Sequence, residues 1–551
     1  MKTVFKHLIL SLLILLAWEG TGRSQSVYHN PGEINDALSK LNNTYSDLSE
    51  LETIGKTYSG MDIKALVIGA GDRDSKPGIA VIGGIDGRYI AGREIALGFA
   101  TRILENSGDE EIKKLLENIS FYIIPDACPD ASIGYFSSPI YEKRMNDNPT
   151  DNDRDFMVDE DPYEDINKDG YITQMRVYDP TGDYIIDTDD ERIMRKADPS
   201  KGETGEWSVF TEGVDNDKDG EFNEDSKGGV NFNNNFSFEY EEYGRYAGIH
   251  AVSDKEPLAI ADYLYDHFNI YAVFSYGPQD NLGQPFKPGR QPQQQSTADQ
   301  QQWRRRSRKV TNILPEDGKH NELLSGKYIE YTGYKGSPGF TGEPGNFMEW
   351  AYYHYGRYSY STPGWWIEPE KGSTPELTFL KTATENGRED VFIEWEEIDH
   401  PDFPDKKVEV GGIKPFVMYN PPVNKLEEVI ESNYNFLVYA AKLHPELELI
   451  DLKTEEIEKN LHRITVTLHN KGVLGTMSQI GERVKWMKKL KVEIKSDSDY
   501  TLVSGKKITV DDRLKGDESR EYSWLILGNG DFTISAGAIN CGMDKISFTI
   551  R

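Results

Sequence analysis

Cysteine and positive charge are both scarce in this sequence of 551 residues. There are only two cysteines, Cys128 and Cys541, so a scaffold held together by several disulfides is excluded. The two thiols lie far apart in sequence, which favours two separate buried thiols over one bridge between them. Lysine and arginine number 62 against 93 aspartates and glutamates, a formal net charge of −31. This balance argues against binding to nucleic acids or anionic membranes, and it points to cations instead.

Long apolar runs are also lacking, with one exception at the amino terminus. Lys2 and Lys6 precede an apolar run from Leu8 to Trp18, and small and polar residues follow. The run is too short for a membrane span, and no other stretch qualifies. Its pattern is that of a secretory signal peptide, which we place at residues 1–25. No cysteine follows it closely, so we expect no lipid anchor and predict a secreted or periplasmic protein.

After this segment, strand-like and helix-like segments alternate. A buried strand from Ile79 to Ile85, for example, precedes a helix that begins near Ala91. This alternation predicts an α/β domain over residues 26–443, with a mixed central sheet flanked by helices. Beyond Pro445, apolar and polar residues alternate between turn signals, which predicts an immunoglobulin-like β-sandwich over residues 446–551.

An acidic, glycine-containing insertion interrupts the α/β pattern over residues 146–227. It holds three runs in which aspartate or asparagine recurs at every second position, as in DNDKDGEFNED. That spacing directs several carboxylates at one hard cation, as in calcium-binding loops. We expect calcium to order an insertion that is too polar to build its own core, the alternative being a solvated acidic loop. The proposed calcium ligands are Asp151, Asp153, Asp155, Asp159, Asp161, Asp165, Asn167, Asp169, Tyr171, Asp215, Asp217, Asp219, Asn223 and Asp225.

Six segments in a fixed order resemble landmarks of the M14 zinc carboxypeptidases, over roughly residues 46–443. The resemblance implies a carboxypeptidase A-like α/β fold. In that family the fold holds a catalytic zinc ion and releases carboxyl-terminal residues from peptides. The segments are GIDGRYIAGRE (Gly84–Glu94), Pro129-Asp130, GVNFNNNF (Gly229–Phe236), Ser253–Pro257, FSYG (Phe274–Gly277) and YSYSTPG (Tyr358–Gly364).

The resemblance preserves the frame of the family's site but not its functional side chains. The three zinc ligands are matched by Asp86, Tyr89 and Phe274, the general-base glutamate by Pro363, and the substrate-clamping arginine by Asn234. A phenylalanine ring cannot bind zinc, a proline has no side-chain base, and a neutral amide does not replace a bidentate guanidinium. We therefore expect neither zinc nor hydrolysis. The residues that the resemblance still places beside a substrate are Arg88, Asn233 and Tyr276.

Other side chains leave alternatives open. Asp86 and Tyr89 either form a small hydrogen-bonding site or satisfy each other in a filled pocket. His250 is the nearest histidine candidate for the cleft, although a lone loop histidine is more often structural or exposed. Trp365 and Trp366 suit stacking on a sugar or an aromatic group, but core packing is the more common role for such residues.

Three functions are consistent with these patterns. The first is a secreted, calcium-stabilised and catalytically silent carboxypeptidase homologue that binds a peptide, a peptidoglycan stem or a glycan in the former cleft. The second is a working metallocarboxypeptidase, with misassigned ligands or new chemistry around Asp86, Tyr89 and His250. The third is a structural or adhesive surface module, in which the cleft is incidental. We favour the first.

Overall fold

The computed structural model of the protein describes residues 28–151, 158–159, 161–223, 228–286, 310–337 and 343–551. The predicted signal peptide and three of the predicted calcium ligands, Asp153, Asp155 and Asp225, lie outside the described residues. None of the described helices is long and apolar enough to cross a lipid bilayer.

Helices and strands alternate through the first part of the chain, and strands dominate its end. The helices are α1 Pro31–Thr44, α2 Ala91–Glu105, α3 Glu110–Asn118, α4 Pro129–Ser132, α5 Lys255–Asp266, α6 Pro315–Thr332, α7 Phe347–Tyr353, α8 Pro375–Glu385 and α9 Val423–Ala441. The strands are β1 Ser49–Lys56, β2 Asp62–Ile68, β3 Gly78–Ile82, β4 Ser120–Ile124, β5 Gln174–Tyr178, β6 Tyr184–Ile186, β7 Met194–Lys196, β8 Trp207–Thr211, β9 Ile270–Tyr276, β10 Tyr358–Thr362, β11 Phe392–Ile398, β12 Val408–Ile413, β13 Leu447–Glu458, β14 Leu461–Asn470, β15 Leu490–Ser496, β16 Thr501–Ser504, β17 Ile508–Asp511, β18 Ser519–Leu527, β19 Gly530–Ala538 and β20 Gly542–Ile550.

The central sheet is mixed, as predicted, with the strand order β1-β2-β4-β3-β9-β10. Strand β3 runs parallel to β4 and β9, and β9 runs parallel to β10. All five residues of β3 are buried because helices cover both faces. Ile79 and Val81 pack with α2 and α9, whereas Ala80 and Ile82 pack with α5 and α7. The carboxyl ends of β3, β9 and β10 therefore meet at one edge of the sheet.

The insertion does not build a core of its own, as expected, but it does form regular strands. Its strands β5, β6, β7 and β8 form a second six-stranded sheet with β11 and β12, which come from much later in the chain. Met175 and Val177 of β5 are buried against Val408 and Val410 of β12. The strands of the insertion have too few apolar residues for a core, and residues of β11 and β12 complete it.

The last hundred residues form two four-stranded sheets, β13-β14-β18-β16 and β17-β15-β19-β20. Buried residues of both sheets form one hydrophobic cluster, as expected of a β-sandwich. Cys541 lies in this cluster and Cys128 in the α/β core, and both are free thiols, which confirms that they do not pair.

Helix α6 connects the sandwich to the α/β part through the buried carboxylate of Asp317. Asp317 accepts hydrogen bonds from the backbone amides of Gln479 (2.7 Å) and Ile480 (3.1 Å) and from the hydroxyl of Tyr352 (2.8 Å). Arg513 of the sandwich adds an ion pair with Glu316 on the same helix. The side chain of Asp317 therefore satisfies donors from both parts of the chain.

Replacing Asp317 with alanine should leave these buried donors without an acceptor. We expect the free energy of unfolding to fall by roughly 2 to 4 kcal/mol, since each unsatisfied buried donor costs about 1–3 kcal/mol. Urea denaturation followed by circular dichroism measures this loss. Glu322 is exposed on the same helix, so E322A is the matched control and should change stability by less than about 0.5 kcal/mol. An equal effect of the two substitutions would contradict the role assigned to Asp317.

Candidate functional site

The turn that follows β3 lies in close contact with a distant part of the chain. At Gly84 the backbone is left-handed (φ 67°), and an added Cβ would lie 2.5 Å from Oδ1 of Asp126. At Gly87 an added Cβ would lie 2.2 Å from the carbonyl oxygen of Lys143. Only glycine fits such approaches. The turn is therefore held against the segment that carries Arg144.

Asp86, within this turn, is buried and bound by two guanidinium groups. Its Oδ1 accepts from the backbone amide (3.0 Å) and Nε (3.3 Å) of Arg88, and its Oδ2 lies 3.2 Å from Nε of Arg144. Burial alone would raise the pKa of the Asp86 carboxyl, but the two guanidiniums outweigh it and hold that pKa below its ordinary value. Both carboxylate oxygens are thus committed to side chains of the protein.

The ion pairs continue beyond Asp86 into a mixed charged and aromatic network. Nη2 of Arg144 lies 3.2 Å from Oε2 of Glu343. The guanidinium of Arg88 lies 5.2 Å from the ring centre of Tyr419 and 5.8 Å from that of Tyr89. Tyr89 packs on Tyr419 with ring centres 5.2 Å apart, and burial raises the pKa of its hydroxyl. We call Asp86, Arg88, Arg144 and Glu343 the arginine network.

Phe274, matched to the third zinc ligand, and Pro363, matched to the general base, lie outside the arginine network. Phe274 pairs in register with Val81 inside the sheet, and its ring stacks on Tyr360 with centres 5.0 Å apart in the hydrophobic core. Pro363 is buried directly after β10. A catalytic zinc site needs three ligands with lone pairs around one ion and an open position for water. The side chains of Asp86, Tyr89 and Phe274 do not fit that requirement.

The residues expected beside a substrate have structural partners. Asn233 is buried, donates to Oε1 of Gln279 (2.5 Å) and accepts from the backbone amide of Phe347 (2.9 Å). Tyr276 is buried in the core of the sheet. Asn234 is half-buried and lies 3.3 Å from the carbonyl oxygen of Pro344. Of the three predicted substrate residues, only Arg88 belongs to the arginine network.

The open alternatives for the histidine and tryptophans are now resolved. His250 is exposed, and its Nδ1 lies 3.1 Å from the carbonyl oxygen of Ala251. Trp365 and Trp366 are buried in the core, where Trp366 packs with ring centres 5.1 Å from Tyr334. Neither tryptophan is placed to stack on a ligand.

Sequence reasoning missed the half of the network that comes from outside the turn. Arg144 is 58 residues from Asp86, and Glu343 is 199 residues from Arg144. Glu142 was also missed; its carboxylate accepts from the backbone amide of Phe416 (2.6 Å), and burial raises its pKa. Ion pairs between residues so far apart leave no local motif in a sequence.

Two of the predicted calcium loops adopt the same turn. In both Asp165–Gly170 and Asp215–Gly220 the first aspartate accepts a hydrogen bond from the amide of the final glycine, at 2.8 and 3.1 Å. Lys168 and Lys218 occupy the left-handed region at equivalent positions, with φ 62° and 72°. These two acidic runs therefore share one backbone turn.

The second loop groups its carboxylates most closely. Oxygen atoms of Asp215, Asp217 and Asp219 lie within 4.8 Å of one another, the one such group of three metal-ligand side chains among the residues that the structure describes. Oδ2 of Asp217 is buried without a hydrogen-bond partner. Burial and the neighbouring aspartates raise the pKa of Asp217.

In the first loop the side chains mostly cap their own turn. Asn167 donates to Asp169 (2.9 Å), and Asp169 accepts from the backbone amide of Tyr171 (2.9 Å). Asp159 is exposed and Asp151 is half-buried. These residues remain candidate ligands by prediction.

Buried acidic residues join the two loops to each other. Asp161 accepts from the backbone amide of Asn223 (2.5 Å) and from the side-chain amide of Asn216 (3.0 Å). Glu212, which sequence reasoning missed, accepts from the backbone amides of Ile166 and Thr173, each at 2.9 Å. Asp161 and Asn223 are thus occupied by the scaffold that holds the loops.

Comparison with known proteins gives two family matches. The zinc carboxypeptidase model, Peptidase M14, matches residues 34–365. A domain of unknown function (DUF8731) matches residues 446–549.

Individual relatives are similar over shorter stretches. Carboxypeptidase B of Astacus astacus is 33% identical over 103 residues, which is 19% of this chain and 33% of that protein. Carboxypeptidase E of Caenorhabditis elegans is 24% identical over 192 residues, 33% of this chain and 39% of that protein. The chain thus spans about a third of the length of these curated relatives.

Among solved structures, thrombin activatable fibrinolysis inhibitor is similar with a TM-score of 0.42 and 13% identity, over 76% of this chain and 75% of that one. Carboxypeptidase A of Helicoverpa armigera has a TM-score of 0.41 and 14% identity, over 80% and 81%. The M14 match covers more than half of the chain. The protein therefore belongs to the zinc carboxypeptidase family M14.

Proposed function

We propose that the protein is a secreted, calcium-stabilised member of the M14 family that binds a peptide in the former catalytic cleft without hydrolysing it. The single observation that carries the proposal is the arginine network, in which both oxygens of Asp86 bind guanidinium groups. Peptidoglycan stems and glycans are further ligand classes suggested by the sequence.

The arginine network is electrostatically incompatible with a zinc ion at Asp86. Two positive charges lie within 3.3 Å of the carboxylate oxygens, where a dication would be repelled by both. Tyr89 offers a phenol whose pKa is raised by burial, so it stays protonated at neutral pH. Without a metal there is no activated water, and Pro363 supplies no base to replace it.

The same network offers a way to hold a peptide. Arg144 remains 29% exposed, and its partner Glu343 lies near the surface of the cleft as well. A carboxylate of a peptide can exchange with Glu343 on the guanidinium of Arg144, because the two acceptors are chemically equivalent. Arg88 and Asp86 fix the orientation of Arg144 from the buried side.

An active metallocarboxypeptidase is the second candidate. The observation in its favour is the family match over residues 34–365, together with the carboxypeptidase names of the relatives. In this case a metal would have to recruit ligands other than those matched here.

Metal content and hydrolysis together decide between the two. Protein purified without added metal or chelator should contain calcium but substoichiometric zinc by mass spectrometry, and it should release no carboxyl-terminal residues from a mixed peptide library. Stoichiometric zinc that survives dialysis, with release of residues that a chelator abolishes, would establish the second candidate instead.

Removing one guanidinium should destabilise the fold at neutral pH. In R144M the buried carboxylate of Asp86 loses one of its two guanidinium partners. We therefore expect the free energy of unfolding to fall by about 3 kcal/mol. The lowered pKa of Asp86 gives stability that is present above its ordinary value of 3.8 and lost as the pH falls through the native pKa. The difference between R144M and wild type should therefore shrink in acid.

Denaturant titrations at neutral and acidic pH measure this dependence. Lys406 pairs with Asp179 at the surface. K406M is therefore the matched control, since it also removes one cation from an ion pair, and it should lower the free energy of unfolding by less than about 1 kcal/mol. A pH-independent effect of R144M would contradict the ionised state assigned to Asp86.

Calcium should stabilise the insertion through the second loop. A ligand that binds only the folded state at a hundredfold excess over its Kd adds about 2.7 kcal/mol to the free energy of unfolding. We expect calcium to raise the melting temperature of wild type and to have little effect on D217N. Asp405 is an exposed aspartate outside the loop, and D405N should retain the full response. A response of D217N equal to that of wild type would exclude this loop as the site.

A further inference from the structure

A large pocket lies between the acidic insertion and the α/β part, away from the arginine network. It has a volume of about 1080 Å³ and is bounded by residues 148–151, 219–221 and 229–254. None of the four residues of the arginine network lines it. Its wall carries a buried carboxylate, Asp254, and three tyrosines.

Asp254 is a buried acid without a cationic partner. It is 1% exposed, and its Oδ1 accepts from the side-chain amides of Asn146 (2.8 Å) and Asn148 (3.2 Å). Tyr58 and Ser253 also donate to it. None of the described lysines, arginines or histidines forms an ion pair with this carboxylate. The ammonium of exposed Lys255 lies instead 4.1 Å from the ring centre of Tyr58.

A second buried acid lies behind Asp254. The side-chain amide of Asn146 donates to Oε2 of Glu256 (2.7 Å) as well as to Asp254, so the two carboxyl groups share one neutral donor. Oε1 of Glu256 has no hydrogen-bond partner. Burial is the main cause that raises the pKa of Glu256 to about 7. Charges buried in proteins are normally paired, and among the residues that the structure describes no cation forms an ion pair with Asp254 or Glu256.

The walls of the pocket include three tyrosines, and cations of the protein lie over two of them: the ammonium of Lys255 over Tyr58 and the guanidinium of Arg245, 5.1 Å from the ring centre, over Tyr246. Tyr58, Tyr243 and Tyr246 line it, and Tyr243 is 82% exposed. Tyr243 and Tyr246 both have left-handed backbones, with φ 66° and 62°. The one guanidinium in the wall, Arg245, is held by Glu221 at 2.7 Å and does not reach across to neutralise the floor. A carboxylate combined with aromatic faces is the arrangement that proteins use to bind organic cations.

We propose that this pocket binds a lysine or arginine side chain of a peptide, with its cationic group paired to Asp254 and its alkyl stem against Tyr243. A bare metal ion would need several ionised oxygens around one point, whereas Asp254 is surrounded by amides and hydroxyls. An uncharged sugar would leave the charge of Asp254 unpaired. The site shares no residue with the arginine network, although Asp219 of the second acidic loop also lines the pocket.

The test is a binding measurement by fluorescence anisotropy with three labelled hexapeptides of alternating sequence: glycine-lysine, glycine-glutamine and glycine-glutamate. Measurements in physiological salt limit general attraction to this acidic protein. We expect the lysine peptide alone to bind. D254N and Y243A should each weaken its binding at least tenfold.

Asparagine is isosteric with Asp254 and equally suited to its position before α5, and Tyr243 is exposed, so the two variants are expected to fold. The control D517N removes the same charge from an exposed position on the sandwich and should change affinity less than twofold. Equal losses in D254N and D517N would reduce the effect to overall charge and overturn the proposal. So would equal binding of the glutamine peptide, no binding of the lysine peptide, or binding of cellotetraose in its place.

Discussion

A buried carboxylate at the carboxyl edge of a sheet needs a positive charge beside it, and the structure of the cleft depends on how Asp86 meets that need. In a zinc carboxypeptidase the positive charge at this edge is the metal. Here it is provided by Arg88 and Arg144, at 3.3 and 3.2 Å. Under the function proposed above, the two arginines keep the local charge balanced in place of a Lewis acid. The proposal thus accounts for a family frame, including the tight glycine turn, that persists without the family's chemistry.

The same requirement explains other parts of the molecule. Asp126 is buried and pairs with Nη2 of buried Arg93 at 2.9 Å. Glu212 has no cation beside it among the described contacts, and backbone amides of the acidic loop stabilise it instead. Asp217 and Asp254 differ from Asp126, because no ion pair with a lysine, arginine or histidine is found for either among the described residues. The proposed sites for calcium and for a cationic side chain each include one of these carboxylates.

Local patterns predicted those elements whose own apolar residues show which faces are buried. The five-residue apolar strand β3 and the helix from Ala91 were predicted correctly, since a strand covered on both faces has a continuous apolar run. The sheet of the insertion was missed because β6 and β7 have only three residues each, and because β5 buries its apolar residues against β12, which lies far away in the sequence. That the zinc ligands are lost stays a prediction from the resemblance to the family. The ion pair between Asp86 and Arg144 could not be predicted from the sequence, because only folding brings residues 58 positions apart into contact.

One short segment connects the two candidate binding regions. Arg144 extends into the arginine network, whereas Asn146 and Asn148 hold Asp254 beneath the acidic pocket. In the same segment, Lys143 and Asp147 form a buried ion pair, which fixes the backbone. Buried, paired side chains leave such a segment few alternative conformations. The spacing between the cleft and the pocket is therefore set by the five residues 144–148, where the insertion begins. An extended peptide that used both regions would have to match this fixed separation.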